Sequence, residues 1–268
     1  MLGVVIGFAS LTVLWSLWTR RHAWKCRWET ASTVNVALLG LAGLLINRPT
    51  GEAVAGPLRL LTGQANMRFH VAVLCLIAAT SAGVHGTVAK LMDKPSFRWW
   101  IRTRIQLPVA GAAIILTLLF VASRVGEIGA TPELLTTGMV DRYLAAYWAY
   151  MSAFMLYLLW HAMRAYVDLW YDHESRRLIY PHMLAAVSMG VAMTIRLLSS
   201  VFWPMQTTAM PTAIIFGYIA VGLYSLGSAF CWISRVGSLT GHVPWTGSVE
   251  WPSPTGRRNK TRQQHSGS

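Results

Sequence analysis

Seven stretches of the chain are almost continuously apolar, and short polar or basic segments separate them. They run Met1–Trp18, Ser32–Ile46, Phe69–Ala89, Ile105–Ser123, Tyr143–Trp170, His182–Trp203 and Thr212–Ser234. Most fall near the ~17–25 residues that carry a helix across a bilayer. Inside lipid every backbone N–H and C=O must be satisfied within the protein, which a helix does along a single segment. The pattern predicts an all-α, polytopic transmembrane helix bundle of about seven spans over residues 1–235. Ser32–Ile46 is the shortest, and Thr33 and Asn35 make its first turn polar.

The separators carry turn chemistry. Arg48, Pro49, Gly51, Pro57 and Arg59 mark a loop, within which Pro57–Leu61 has the composition to lie flat at the membrane interface. Pro108 sits in the first turn of its span, where a missing N–H costs little, and Pro181 and Pro204 flank the sixth. Residues 236–268 are rich in Gly, Pro, Ser and basic side chains, which predicts a disordered cytoplasmic tail. Met1–Trp18 has no positive charge ahead of it, and Trp15 and Trp18 occupy the region where a leader would be cleaved, so it reads as a retained span.

Composition strengthens the membrane reading. Charged residues make up 12% of the chain and hydrophobic ones 54%, whereas a soluble domain carries about 25% charged. The net charge of +13 sits in the separators rather than on one face, so it points to topology and not to nucleic acid. If alternate loops face the cytoplasm, seventeen Lys/Arg lie inside, against five outside at Arg48, Arg59, Arg68, Arg124 and Arg142. That asymmetry places the N-terminus outside and the C-terminus inside. Trp18, Trp24, Trp28, Trp99, Trp100, Trp160, Trp170 and Trp232 then fall near the inner boundary as an aromatic belt. The expected location is the cell membrane. Expected partners are the lipid bilayer, anionic lipid at the basic loops and tail, and another copy or a different chain docked through small-residue helix faces such as Ala186/Gly190 and Ala213/Gly217.

The sharpest candidate chemistry is in the fifth span. Tyr143, Tyr147, Tyr150, Phe154, Tyr157, His161, Arg164 and Asp168 are spaced alternately four and three apart, which draws one stripe on a helix. Polar tips are costly in hydrocarbon, so the stripe is expected to face the bundle interior. It reads either as the lining of a substrate path or as an aromatic packing seam, with Asp168 paired to Arg164. Arg196 is the clearest intramembrane charge, read as an anion contact, a snorkelling side chain or a partner of Glu127, Glu133 or Asp141. His85 lies in a small, polar stretch, Thr80–Thr87, and with His161 forms a conceivable haem or metal pair, although a hydrogen-bonded histidine is the simpler reading.

No P-loop, no H-E-x-x-H and no Gly-x-Ser-Gly occurs, and the seventh span holds no lysine for a retinal Schiff base. The three cysteines, Cys26, Cys75 and Cys231, have no metal spacing and no external pairing. Neither a catalytic residue nor a cofactor is expected.

The segment Pro57-Leu58-Arg59-Leu60-Leu61-Thr62-Gly63-Gln64-Ala65-Asn66, running into the third span, resembles a stretch of an actinobacterial family of multi-pass membrane proteins that carries a provisional transporter label. The Trp-rich basic loop after the first span is similar too. Members have proline where this chain has Ala65, and they continue into a soluble helical domain after the last span. The resemblance implies a multi-span fold and transport, and no site residues. The expected function is therefore binding or movement of a small solute or ion through the bundle. The alternative is a non-transporting sensor, assembly factor or exclusion protein acting through helix contacts and its basic inner surface.

Overall fold

The computed structural model describes residues 2–21, 29–64, 66–92, 94–123, 142–171, 176–202 and 206–240. They are helical almost throughout and contain no strand. In order they form α1 (Leu2–Thr19), α2 (Thr30–Ile46), α3 (Arg48–Thr62), α4 (Met67–Val88), α5 (Lys94–Ile101), a π-helical turn (Arg102–Gln106), α6 (Leu107–Ala122), α7 (Arg142–Trp170), α8 (Arg176–Val201) and α9 (Gln206–Thr240). The chain divides into two compact units, Met1–Cys231 and Trp232–Ser268, and the helix bundle is the first. In the second, the described residues are the last turns of α9, so its helix includes residues 236–240 that composition assigned to the tail. Residues 241–268, the rest of that tail, lie outside the described residues.

Among the described residues, five helices are long and apolar enough to cross a membrane, and there are six if α2 and α3 form one bent span. α7 falls outside that set because its many Tyr and Trp side chains and charged ends lower its hydropathy, although 29 residues reach about 43 Å. Exposed Val4, Leu11, Leu14, Ile114 and Leu118 give the outside of the bundle an apolar surface, as a lipid-facing wall requires.

Four boundaries differ from the sequence reading. The segment after α2 is a helix and not a loop. Asn47 is extended, Pro49 opens α3, and the axis turns by 88° between α2 and α3. Gly63, at a φ of 73°, closes α3 in the left-handed conformation that glycine adopts without strain. The fourth span starts near Lys94, because the π turn lets the helix run on through the basic segment. α8 begins at Arg176 and contains Pro181, and α9 begins at Gln206 and contains Pro211. Each proline lies within two turns of its helix start, where few backbone bonds are lost.

Neighbouring helices alternate in direction. His70, near the start of α4, touches Phe120 near the end of α6 and Tyr147 near the start of α7. Arg196, near the end of α8, meets Trp148 on α7 and Met210 near the start of α9. Tyr166, near the end of α7, meets His182 near the start of α8. The core is made by α4, α6, α7 and α8, with Ile77, Leu116, Tyr147, Met155 and Leu158 among its most enclosed side chains.

Candidate functional site

The face that α7 buries is not the aromatic stripe but the one beside it. Leu144, Trp148, Met151, Met155, Leu158, Ala162 and Ala165 repeat the four-three spacing one position further on, and all are buried. Of the stripe, Tyr147 alone is fully enclosed; Tyr143, Arg164 and Asp168 are exposed and the rest half-buried. Among the described residues no ion pair joins Arg164 to Asp168.

The half-buried members form a ring ladder. Tyr150 stacks on Phe154, Phe154 on Tyr157, and Tyr157 packs edge-on against His161 at 4.7 Å. His161 meets Trp100 of α5 edge-on at 5.4 Å. Tyr157 donates its hydroxyl hydrogen to the Arg104 carbonyl at 2.7 Å, in the π turn where the helical hydrogen-bond ladder is irregular. The ladder joins α7 to the helix that carries the basic segment. His85 packs edge-on to Phe97. Among the described residues no three His, Cys, Asp or Glu side chains converge as a metal set.

Tyr147 belongs to a buried polar joint. Its hydroxyl lies 3.2 Å from His70 Nδ1, and His70 Nε2 lies 3.1 Å from Thr117 Oγ1. The Thr117 hydroxyl already donates to the Ala113 carbonyl. The imidazole Nε2–H therefore donates to Thr117, and Nδ1 accepts from Tyr147. This joint ties α4, α6 and α7 together.

Two cavities lie on the other side of α7. The larger, about 130 Å³, is bounded by α2, α4, α7, α8 and α9. Met151, Met189, Met193 and Met210 contribute thioethers to its wall, which is otherwise aliphatic and aromatic apart from Arg196 and Tyr218. Arg196 does not reach for the helix end. It is 9% exposed, turned inward over Trp148 with its guanidinium carbon 3.9 Å from the ring centroid, and in contact with the Met210 sulfur. Glu127, Glu133 and Asp141, its expected acidic partners, lie outside the described residues.

The smaller cavity, about 50 Å³, shares Leu39, Met189 and Val221 with the first and extends toward the opposite end of the bundle. Its wall includes Asn35, Thr80, Tyr166, His182 and Tyr224. None of these five stands out in the sequence as a site residue. A signal exists for Asn35, since an amide inside an apolar span is costly and is usually held for a purpose. No member of the fifth-span stripe, nor His85, lines either cavity, whereas Arg196 lines the larger.

A third polar group closes the far end. Arg20, expected in a loop, is fully buried. It meets Glu29 at 2.5 Å and donates to Ser32 at 2.7 Å, and Ser32 lies 3.5 Å from Ser228. The pair closes the α1–α2 hairpin across residues 22–28. Gly190 and Gly217, from the two small-residue motifs, have nothing within 4 Å of where a Cβ would stand, so these motifs are not close helix contacts within the chain.

Comparison with family models, with curated proteins and with solved structures returns no match for this chain.

Proposed function

We propose that the chain is a seven-span integral membrane protein, N-terminus outside and C-terminus in the cytoplasm, that binds a small lipophilic carboxylate or carbonyl compound in the cavity lined by Arg196. Alternating helix direction, the length of α7 and the skewed distribution of Lys and Arg support the topology. The observation that carries the binding reading is a guanidinium set in the wall of an otherwise apolar, membrane-embedded cavity.

Arginine keeps its charge and presents paired donors that suit a carboxylate or a carbonyl oxygen. Held over Trp148, it is oriented before a ligand arrives. The remaining wall is soft: methionine side chains are unbranched and polarisable, and adapt to apolar shapes. A dry apolar cavity of ~150 Å³ takes up benzene, so about 130 Å³ suits one ring or a short acyl chain.

The test uses purified protein in detergent and three probes of one shape: benzoate, benzyl alcohol and benzylammonium. Benzoate is expected to raise Tm saturably, the alcohol less, and the ammonium not at all. Arg196→Leu should erase the preference and Arg196→Lys should weaken it. Equal responses to all three probes, or none, would reject the reading. Uptake of labelled benzoate into proteoliposomes then separates a carrier from a receptor.

A further inference from the structure

The smaller cavity has a different chemistry and calls for a different ligand. Asn35, in the second turn of α2, is 2% exposed, and its Oδ1 has no hydrogen-bond partner. Burying an amide oxygen in hydrocarbon without a donor is costly, and in a membrane span no bulk water relieves it. Native proteins keep few such atoms, and a missing ligand or ordered water is a standard cause.

The chamber around that amide is kept open by glycine. A Cβ on Gly83 would collide with Asn35 Nδ2 and stand 3.2 Å from the Tyr224 hydroxyl. A Cβ on Gly227 would stand 2.9 Å from His182 Cε1. Both glycines leave room for the polar groups that project from α2, α8 and α9.

The protons of the wall can be assigned. Thr80 donates to the Leu76 carbonyl and Thr87 to the Gly83 carbonyl. His182 Nδ1 lies 3.1 Å from the Leu178 carbonyl, which only accepts, so Nδ1 carries hydrogen and Nε2 is the acceptor. The wall thus offers acceptors at His182 and Thr80, the hydroxyls of Tyr166 and Tyr224, and the Asn35 amide, which both donates and accepts. No carboxylate, guanidinium or ammonium group lines it.

We infer that this chamber is a binding site for a small uncharged molecule of the amide or urea class, with Asn35 as its principal recognition group. An ion would lose its hydration with no opposite charge in the wall to replace it. A neutral N–H donor satisfies Oδ1 and the imidazole, and a carbonyl accepts from the Asn35 amide. One water needs ~10–15 Å³ by this measure, so about 50 Å³ holds roughly four heavy atoms, the size of urea or acetamide. The site stands apart from the carboxylate reading, since it uses Asn35 and not Arg196.

The experiment compares three probes of nearly one shape: acetamide, acetate and acetamidinium, at fixed pH and ionic strength. Tm of the full chain in detergent is followed by tryptophan fluorescence. Acetamide is expected to give a saturable rise of a few degrees, and the two ions none. Asn35→Leu should abolish the rise while basal Tm stays level or increases, since the unpartnered amide is gone. Should Asn35→Leu fail to fold, Gly83→Ala reads the same point by pushing a methyl into the amide and weakening the acetamide response. Silence toward acetamide means that the chamber holds only water. That result, an equal response to all three probes, or a full response in a folded Asn35→Leu or Gly83→Ala variant overturns the assignment. A benzoate response lost only in Arg196 variants leaves the two sites separable.

Discussion

The Arg196 guanidinium stands 3.9 Å from the centroid of the Trp148 ring, across the interface between two antiparallel helices. Away from water a cation over an indole contributes about 2 kcal/mol. Trp148→Phe keeps an aromatic face with a weaker quadrupole and is expected to lower stability by about 1–2 kcal/mol. Arg196→Met should remove most of the dependence on that ring. A double-mutant cycle measured by detergent-induced unfolding checks this, and additive losses would show that ring and cation do not couple.

The Tyr157 hydroxyl serves the backbone. It is held by the Arg104 carbonyl, and neither cavity includes it. Tyr157→Phe should cost about 1 kcal/mol, the usual net value of one hydrogen bond. It should leave the benzoate and acetamide responses unchanged. A loss of either response with normal stability would return the stripe to the ligand path.

Trp148 and Tyr157 mark the reach of the sequence. Apolar runs locate most spans, because lipid as solvent leaves few choices for the backbone. The four-three spacing on α7 is real, yet its phase misleads. Taken alone, Tyr150, Tyr157 and His161 are costly in lipid and belong inside. The apolar stripe one residue on packs more tightly, and the rings are sheltered by Trp100 and the π turn instead. Asn35 is visible in the sequence, but as a flaw in a short span. Its meaning depends on Gly83 and His182 on other helices, and no local pattern pairs them. Arg20 reads as a loop cation because its acid, Glu29, lies beyond the turn.

Arg20 is wholly enclosed, and Glu29 is its 2.5 Å partner. Removing one member of a buried pair leaves an uncompensated charge, at a cost of about 3–5 kcal/mol. Glu29→Gln should therefore destabilise strongly, whereas Arg20→Met combined with Glu29→Leu should recover most of the loss. A thermal melt of the single and double variants decides it. If the double variant is no better than the single, the pair contributes directional bonding that apolar contact does not replace.

The axis of α3 leaves α2 at 88°. A helix perpendicular to a span lies along the membrane surface, and its sides should divide accordingly. On a 3.6-residue wheel Val54, Pro57, Leu58 and Leu61 gather opposite Arg48, Glu52 and Arg59. Leu60 and Leu61 are 89% and 82% exposed, a cost in water that disappears if acyl chains cover them. A nitroxide at Leu61→Cys, with the natural cysteines replaced, should collide mainly with oxygen dissolved in lipid. One at Glu52→Cys should respond to a water-soluble nickel complex. If both sites respond alike to the two relaxants, α3 does not rest at the interface, and Leu60 and Leu61 must then face protein.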